Sequence, residues 1–249
     1  FQSYPQSNLH HRQLVHQYLS QSQHQQDLQS CYTVCWCTMK IVVMSDTHGF
    51  HKALAPPAGD VFLHCGDHSE FTGTEEETRA FLGWVGKLPH KHKIIIPGNH
   101  DLWCAEVNMR EVAEPYGVTC LVDDGVEVEG RLIYGSPWVP QYGNWAFMYP
   151  HTEPHYQPGD LPEAIDILMT HGPPYGHNDF VPHRKMHVGG IDLLNEVFRV
   201  QPRYHVFGHI HEGRDEGRTK SSATPTTFIN AACWNHHTRA QYGAITFEA

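Results

Sequence analysis

Long apolar runs are missing from this 249-residue chain; none approaches the ~20 residues that a membrane-spanning helix requires. We therefore expect no membrane as partner. Positive charge is scarce too. Lysine and arginine number 17 against 27 acidic residues, for a net charge of −10. A protein that grips a nucleic-acid polymer needs a basic stripe, so no such polymer is expected as a partner. The N-terminus has no basic stretch leading into an apolar one, and no secretory signal is visible. Paired cysteine spacing is absent as well. The seven cysteines are an odd number, with Cys31, Cys35 and Cys37 crowded into "CYTVCWC" and Cys65, Cys104, Cys120 and Cys233 scattered. We read them as reduced, mostly buried thiols of a cytoplasmic protein. "CYTVCWC" has no matching second pair of the kind a structural zinc site uses.

Aliphatic residues are sparse in one region only. Residues 1–30 are rich in Gln, Ser and His. Such a segment buries too little apolar surface to offset its ordering entropy. We expect residues 1–38 to form a disordered tail that is not native to the protein, Met39 to be the natural start, and residues 39–249 to fold as one domain.

From Met39 onward the pattern alternates. "KIVVM" (40–44), "VFLHC" (61–65), "KIIIP" (93–97), "DILMT" (166–170) and "YHVFG" (204–208) are short apolar runs bounded by turn residues. They have the character of strands buried on both faces. Between them, Thr74 and Glu77 make a capping box ahead of Phe81, Trp84, Val85 and Leu88 on one helical face. A second helix is expected over 191–198, ending before Pro202. Asp124-Gly125 and Glu129-Gly130 are expected as hairpin turns. "TTFINAACW" and "YGAITFEA" are expected as two more antiparallel strands. The alternation implies an α/β fold with a largely parallel sheet. The whole plan fits a layered sandwich, two sheets in the middle and helices outside.

Ligands of open α/β sheets bind beyond the carboxyl ends of the strands. Here those ends carry Asp46-Thr47-His48, Gly66-Asp67, Gly98-Asn99-His100-Asp101, His171-Gly172 and Gly208-His209-Ile210-His211. Each piece has an ordinary reading as a turn, a cap or a hydrogen-bonded core histidine. Together, in this order and each on a strand end, D-x-H, GD, GNHD, H and GH-x-H resemble the metallophosphoesterase superfamily. The longer stretches "GDHSEFTG", "GNHDLW", "THGPPYGHND" and "VQPRYHVFGHIHEG" resemble its small class III cyclic-nucleotide-phosphodiesterase-like branch, from about Met39 to the end of the chain.

The resemblance implies a four-layer α/β/β/α sandwich and two divalent metal ions. One ion would be held by Asp46, His48 and His211, the other by Asn99, His171 and His209, with Asp67 bridging them. His100 would be the acid facing the leaving group, with Asp101 holding its ring, and Asn99 and His100 would also contact substrate. Mixed Asp, His and Asn donors suit Mn²⁺, our first expectation, or Fe²⁺ or Zn²⁺, better than the all-oxygen sites that Mg²⁺ favours, though Mg²⁺ is retained as an alternative. Two such ions about 4 Å apart can hold a hydroxide and clamp phosphoryl oxygens. The expected activity is hydrolysis of a small phosphate ester, a cyclic or other small nucleotide. A phosphomonoesterase or protein Ser/Thr phosphatase would carry the same core motifs, and a non-catalytic nucleotide-binding scaffold is the rival from another class. Of the nearby aromatics Trp103, Trp138, Trp145, Phe147 and Tyr175, most are expected in the core and one or two at a stacking platform. His68 and His177 are left without a role.

Overall fold

The computed structural model of the chain describes residues 38–215, 218–235 and 241–249. Residues 1–37 of the expected tail, with "CYTVCWC", lie outside the described residues. The strands in chain order are β1 (Lys40–Met44), β2 (Val61–Cys65), β3 (His92–Ile96), β4 (Thr119–Cys120), β5 (Asp124–Val128), β6 (Arg131–Ser136), β7 (Val139–Pro140) and β8 (Met148–Tyr149). They continue with β9 (Ile167–Thr170), β10 (Phe180–Val181), β11 (Met186–His187), β12 (Tyr204–Phe207), β13 (Arg218–Lys220), β14 (Thr227–Asn230) and β15 (Ile245–Glu248). The α-helices are α1 (Glu75–Gly86), α2 (Met109–Ala113) and α3 (Ile191–Val200).

Two sheets dominate. The first runs β15-β1-β2-β3-β4 and the second β13-β14-β12-β9-β6-β5. Within them β1–β4 are mutually parallel, as are β6, β9, β12 and β14, while β15, β13 and β5 are antiparallel edges. Strand alternation explains the layering. Ile41, Val43, Leu63, Ile94 and Ile96 turn inward to meet Ile133, Ile167, Met169, Val206 and Ile229 of the other sheet. The alternate residues Val42, Met44, Phe62 and Ile95 turn outward onto Phe81, Leu82 and Val85 of α1. On the far side Leu168, Phe207 and Phe228 pack on Leu193 and Val197 of α3. The result is the expected α/β/β/α sandwich, and burial on both faces is why its strands have no polar alternation.

Helix α1 opens on the expected capping box: Glu77 N donates to Thr74 Oγ1 at 3.3 Å, and Thr74 N donates to Glu77 Oε2 at 2.9 Å. Helix α3 runs two residues past its expected end, closed by Gln201 in the left-handed conformation. Two expectations are corrected. Asp124-Gly125 is not a turn: it begins β5, paired with Gly135 and Tyr134. Glu129 and Gly130, at φ 50° and 74°, make the hairpin turn alone, and that turn sets the register. The two C-terminal strands join different sheets: β15 is antiparallel to β1 as expected, while β14 is antiparallel to β13 but parallel to β12.

Candidate metal centre

The segments leaving β1, β2, β3, β9 and β12 converge. Asp46, His48, Asp67 and His209 sit at φ 53°, 39°, 56° and 66°, a left-handed conformation that costs non-glycine residues roughly 1–3 kcal/mol each. They are held by backbone bonds between the loops: Asp46 N donates to Gly66 O (2.9 Å), and His48 N to Asp67 O (3.1 Å). Two glycines allow the close approach. A methyl group on Gly208 would collide with the Asp46 carboxylate, and one on Gly98 with that of Asp67.

The side chains meet in two overlapping groups, Asp46 with His48 and His211, and Asp67 with His171 and His209. Asp67 also groups with His48 and His100, so its carboxylate lies between the two sets. His211 Nε2 is 3.2 Å from Asp46 Oδ1 and 3.3 Å from His48 Nε2. His171 Nε2 is 3.3 Å from Asp67 Oδ1 and 2.9 Å from Asn99 Oδ1. Asp46, Asp67, Asn99, His48, His171 and His211 are all buried, and His209 is half-buried.

The donor set fits cations. His48 Nδ1 donates to the Ser69 carbonyl (3.1 Å) and His171 Nδ1 to the Cys65 carbonyl (2.8 Å). In the neutral rings each Nε2 is then a bare lone pair aimed at the centre. Asn99 spends its amide N–H on the Tyr142 hydroxyl at 2.9 Å, leaving its carbonyl oxygen aimed inward as well. With these rings neutral, the Nε2 atoms and the Asn99 oxygen would face one another and the carboxylates, an arrangement that a proton or a cation relieves. Burial opposes charge on Asp67, but His171 and His48 hold its carboxyl well below the usual range. Burial likewise opposes charge on Asp46, and His211 keeps its carboxyl low. On His171 burial acts against protonation, yet Asp67 lifts it to about 9. Burial and His171 push His209 down to about 3, and burial lowers His48 against the pull of Asp67. Burial opposes protonation of His211 too, but its bond to Asp46 raises it, so the two carboxylates draw protons onto His171 and His211 while burial keeps His48 and His209 neutral.

His100 reaches the same centre, its ring 4.9 Å from that of His48. Its Nδ1 donates to the Glu70 carbonyl at 2.8 Å, and Trp145 stacks on it at 4.3 Å. The expectation that Asp101 holds this ring is corrected. The tight loop after β3 turns the Asp101 carboxylate back on its own backbone, where it accepts from Gly98 N (2.7 Å), Asp67 N (3.0 Å) and Ser69 N (2.9 Å). His68 Nδ1 lies 3.1 Å from the same carboxylate, with its ring stacked on Phe81 and directed away from the centre. His177 stacks on Phe228. Trp103, Trp138 and Phe147 pack in the core, Tyr175 is exposed, and Trp145 alone of the five lies on the centre. Tyr142 was not foreseen. It sits in a loop without periodicity, 43 residues from its partner Asn99.

Residues 39–213 match the family model of the calcineurin-like phosphoesterases. Metallophosphoesterase domain-containing protein 1 of Homo sapiens is 39% identical over 218 residues, 78% of this chain and 65% of that protein. The chain thus spans just under two thirds of that relative. A UPF0046 protein of Caenorhabditis elegans is 38% identical over 231 residues, 84% of this chain and 80% of its own length. Among solved structures, a protein of Thermus thermophilus shares the fold at TM-score 0.55 and 15% identity, covering 85% of this chain and 99% of its own. The phosphopantetheinyl hydrolase of Mycobacterium tuberculosis does so at TM-score 0.53 and 16% identity, over 78% and 88%.

Proposed function

Because the chain belongs to the calcineurin-like phosphoesterase family, we propose that it is a dimetal phosphodiesterase acting on cyclic or other small nucleotides. The observation that carries this reading is the convergence of two buried carboxylates, four histidines and Asn99 in two overlapping ligand-type groups. Asn99 Oδ1 and Asp67 Oδ1 lie 2.9 Å and 3.3 Å from His171 Nε2, beside the Asp46, His48 and His211 set. Asp46, His48 and His211 would hold one ion, Asn99, His171 and His209 the other, with Asp67 shared, and Mn²⁺ is the ion we favour. Such ions supply Lewis-acid charge for phosphoryl oxygens and an ionised water at neutral pH.

The chain's own residues do the rest. His100, anchored through Nδ1 on the Glu70 carbonyl, presents Nε2 to a leaving oxygen and hands it a proton. Trp145 fixes the plane of that ring. Asp101 acts one step back, as the clamp on the backbone of Gly98, Asp67 and Ser69. The exposed rings of Phe50, Phe71 and Tyr142 flank the ligand segments and suit a substrate with a flat, apolar part such as a nucleobase. The four described cysteines are buried free thiols, which supports a reducing, cytoplasmic compartment, and no described helix is long and apolar enough to cross a membrane.

A metal-by-substrate screen tests the reading. Bis(p-nitrophenyl) phosphate, p-nitrophenyl phosphate and 2′,3′- and 3′,5′-cyclic nucleotides would each be assayed with Mn²⁺, Mg²⁺, Zn²⁺ and Ni²⁺. The expected result is Mn²⁺-dependent cleavage of diesters. Preference for the monoester would move the assignment to a phosphomonoesterase, and undiminished turnover in metal-free protein would remove the dimetal reading altogether.

A further inference from the structure

Tyr142 lies in the loop between β7 and β8, and that loop is tied to Asn99 twice. Ala146 N donates to the Asn99 carbonyl at 3.1 Å, and Asn99 Nδ2 donates to the Tyr142 hydroxyl at 2.9 Å. Asn99 is fully buried, and the Tyr142 oxygen is the acceptor its amide N–H has. Tyr142 itself is 48% exposed, with its ring 5.4 Å from that of His209. Its hydroxyl accepts from Asn99, so its own proton is uncommitted among the described residues and stands at the mouth of the centre.

We propose that Tyr142 is a positioning residue for the Asn99 metal subsite and that its free O–H donates to a phosphoryl oxygen of the substrate. This rests on the dimetal reading above. An asparagine can ligate only through Oδ1, which obliges Nδ2 to find a partner elsewhere. With Phe at position 142 the amide N–H would be buried without an acceptor whenever Oδ1 turned to the ion. The alternative is for the amide to turn away, taking the carbonyl oxygen out of the ligand set. Groups that orient metal ligands in this way typically matter by about 10–100-fold in metal affinity.

The test is a calorimetric Mn²⁺ titration of wild type, Tyr142→Phe, Asn99→Ala and the double variant, with KM and kcat measured on bis(p-nitrophenyl) phosphate. Wild type should take up two ions. In Tyr142→Phe one step should weaken by about 10–100-fold while the other stays within about twofold. The double variant should bind no more weakly than Asn99→Ala, because the two groups act as one unit. KM should rise several-fold as the phosphoryl contact is lost. Phe keeps the exposed ring, so a single cooperative melt, lower by no more than the few degrees that one orphaned amide costs, verifies folding. Two unchanged binding steps in Tyr142→Phe would overturn the positioning role, and unchanged KM and kcat would overturn the substrate contact. Uptake of a single ion by wild type would instead bring down the dimetal reading, and the two failures are separated by which protein shows them.

Discussion

Asp101→Asn should destabilise the fold as well as the chemistry. The native carboxylate accepts from three buried backbone amides, those of Gly98, Asp67 and Ser69. An asparagine has one carbonyl oxygen. In its better orientation it keeps the Gly98 and Asp67 donors, which share Oδ2, and sets its own N–H₂ against Ser69 N. One buried N–H is then orphaned, at about 1–3 kcal/mol. The two remaining bonds lose the help of a full charge, which roughly halves a charge-assisted bond and adds about 1–2 kcal/mol between them. The total is about 2–5 kcal/mol, against about 5–15 for the stability of a whole domain. For a protein of this size that corresponds to a melting temperature lower by about 4–20 °C. Thermal denaturation of metal-free wild type and variant measures it without interference from ion binding. If the variant melts within about 2 °C of wild type and loses only activity, the clamp is wrong and Asp101 acts on the His100 ring after all.

His100→Ala should lose about 10²–10⁴-fold on a cyclic nucleotide, whose ribose leaving group needs a proton, and far less on bis(p-nitrophenyl) phosphate. Equal losses on both substrates would mean that His100 positions the phosphate instead. Asp67→Asn should reduce occupancy at both subsites, and Asp46→Asn at one, as metal analysis of the purified proteins would reveal; two full equivalents in Asp67→Asn would remove the shared role. Acid should destabilise the protein partly through His205, which burial pushes down to about 3. Because its folded pKa lies below its unfolded value, its contribution is complete above about pH 6.5 and is lost as pH falls, by about 2 kcal/mol at pH 5. His205→Asn should therefore lessen the loss of stability between about pH 7.5 and pH 5 by that amount in urea titrations, and parallel pH curves for the two proteins would refute it.

The residues of the centre were legible because each belongs to a local pattern. An apolar run announces a strand, and the polar residues beyond its end stand out by being more than a turn requires. Asn99, His100, His209 and His211 were all found in that way. What could not be read is what depends on how loops close in space. Asp101 follows His100 in sequence, so a contact between their side chains was the natural expectation. The left-handed turn at Asp67 brings Asp67 N and Ser69 N over the loop after β3 instead, and three amides outcompete one ring. Tyr142 lies in a loop whose only regular feature is its two-residue flanking strands, and nothing near it in sequence names Asn99 as its partner. Asp124-Gly125 has turn composition, but Glu129-Gly130 already closes the hairpin, and pairing with Tyr134 and Gly135 claims the earlier dipeptide for the ladder.

The same division explains where the molecule concentrates its strain. The sheets supply side chains with almost no exposure, including Ile41, Val43, Leu63, Ile167 and Val206, and each fully buried aliphatic contributes about 1.5–3 kcal/mol. Four left-handed residues of the candidate centre and its buried carboxylates draw on that stability at one edge of the sandwich. Here one ring nitrogen each of His48, His171 and His100 is spent on the Ser69, Cys65 and Glu70 carbonyls, and the Asn99 amide on Tyr142, which leaves the other ring nitrogens and the Asn99 oxygen on the side of the two carboxylates. That gathering of carboxylate, amide and imidazole groups, each held from outside and directed at one point, is the physical reason to assign the centre to cation binding.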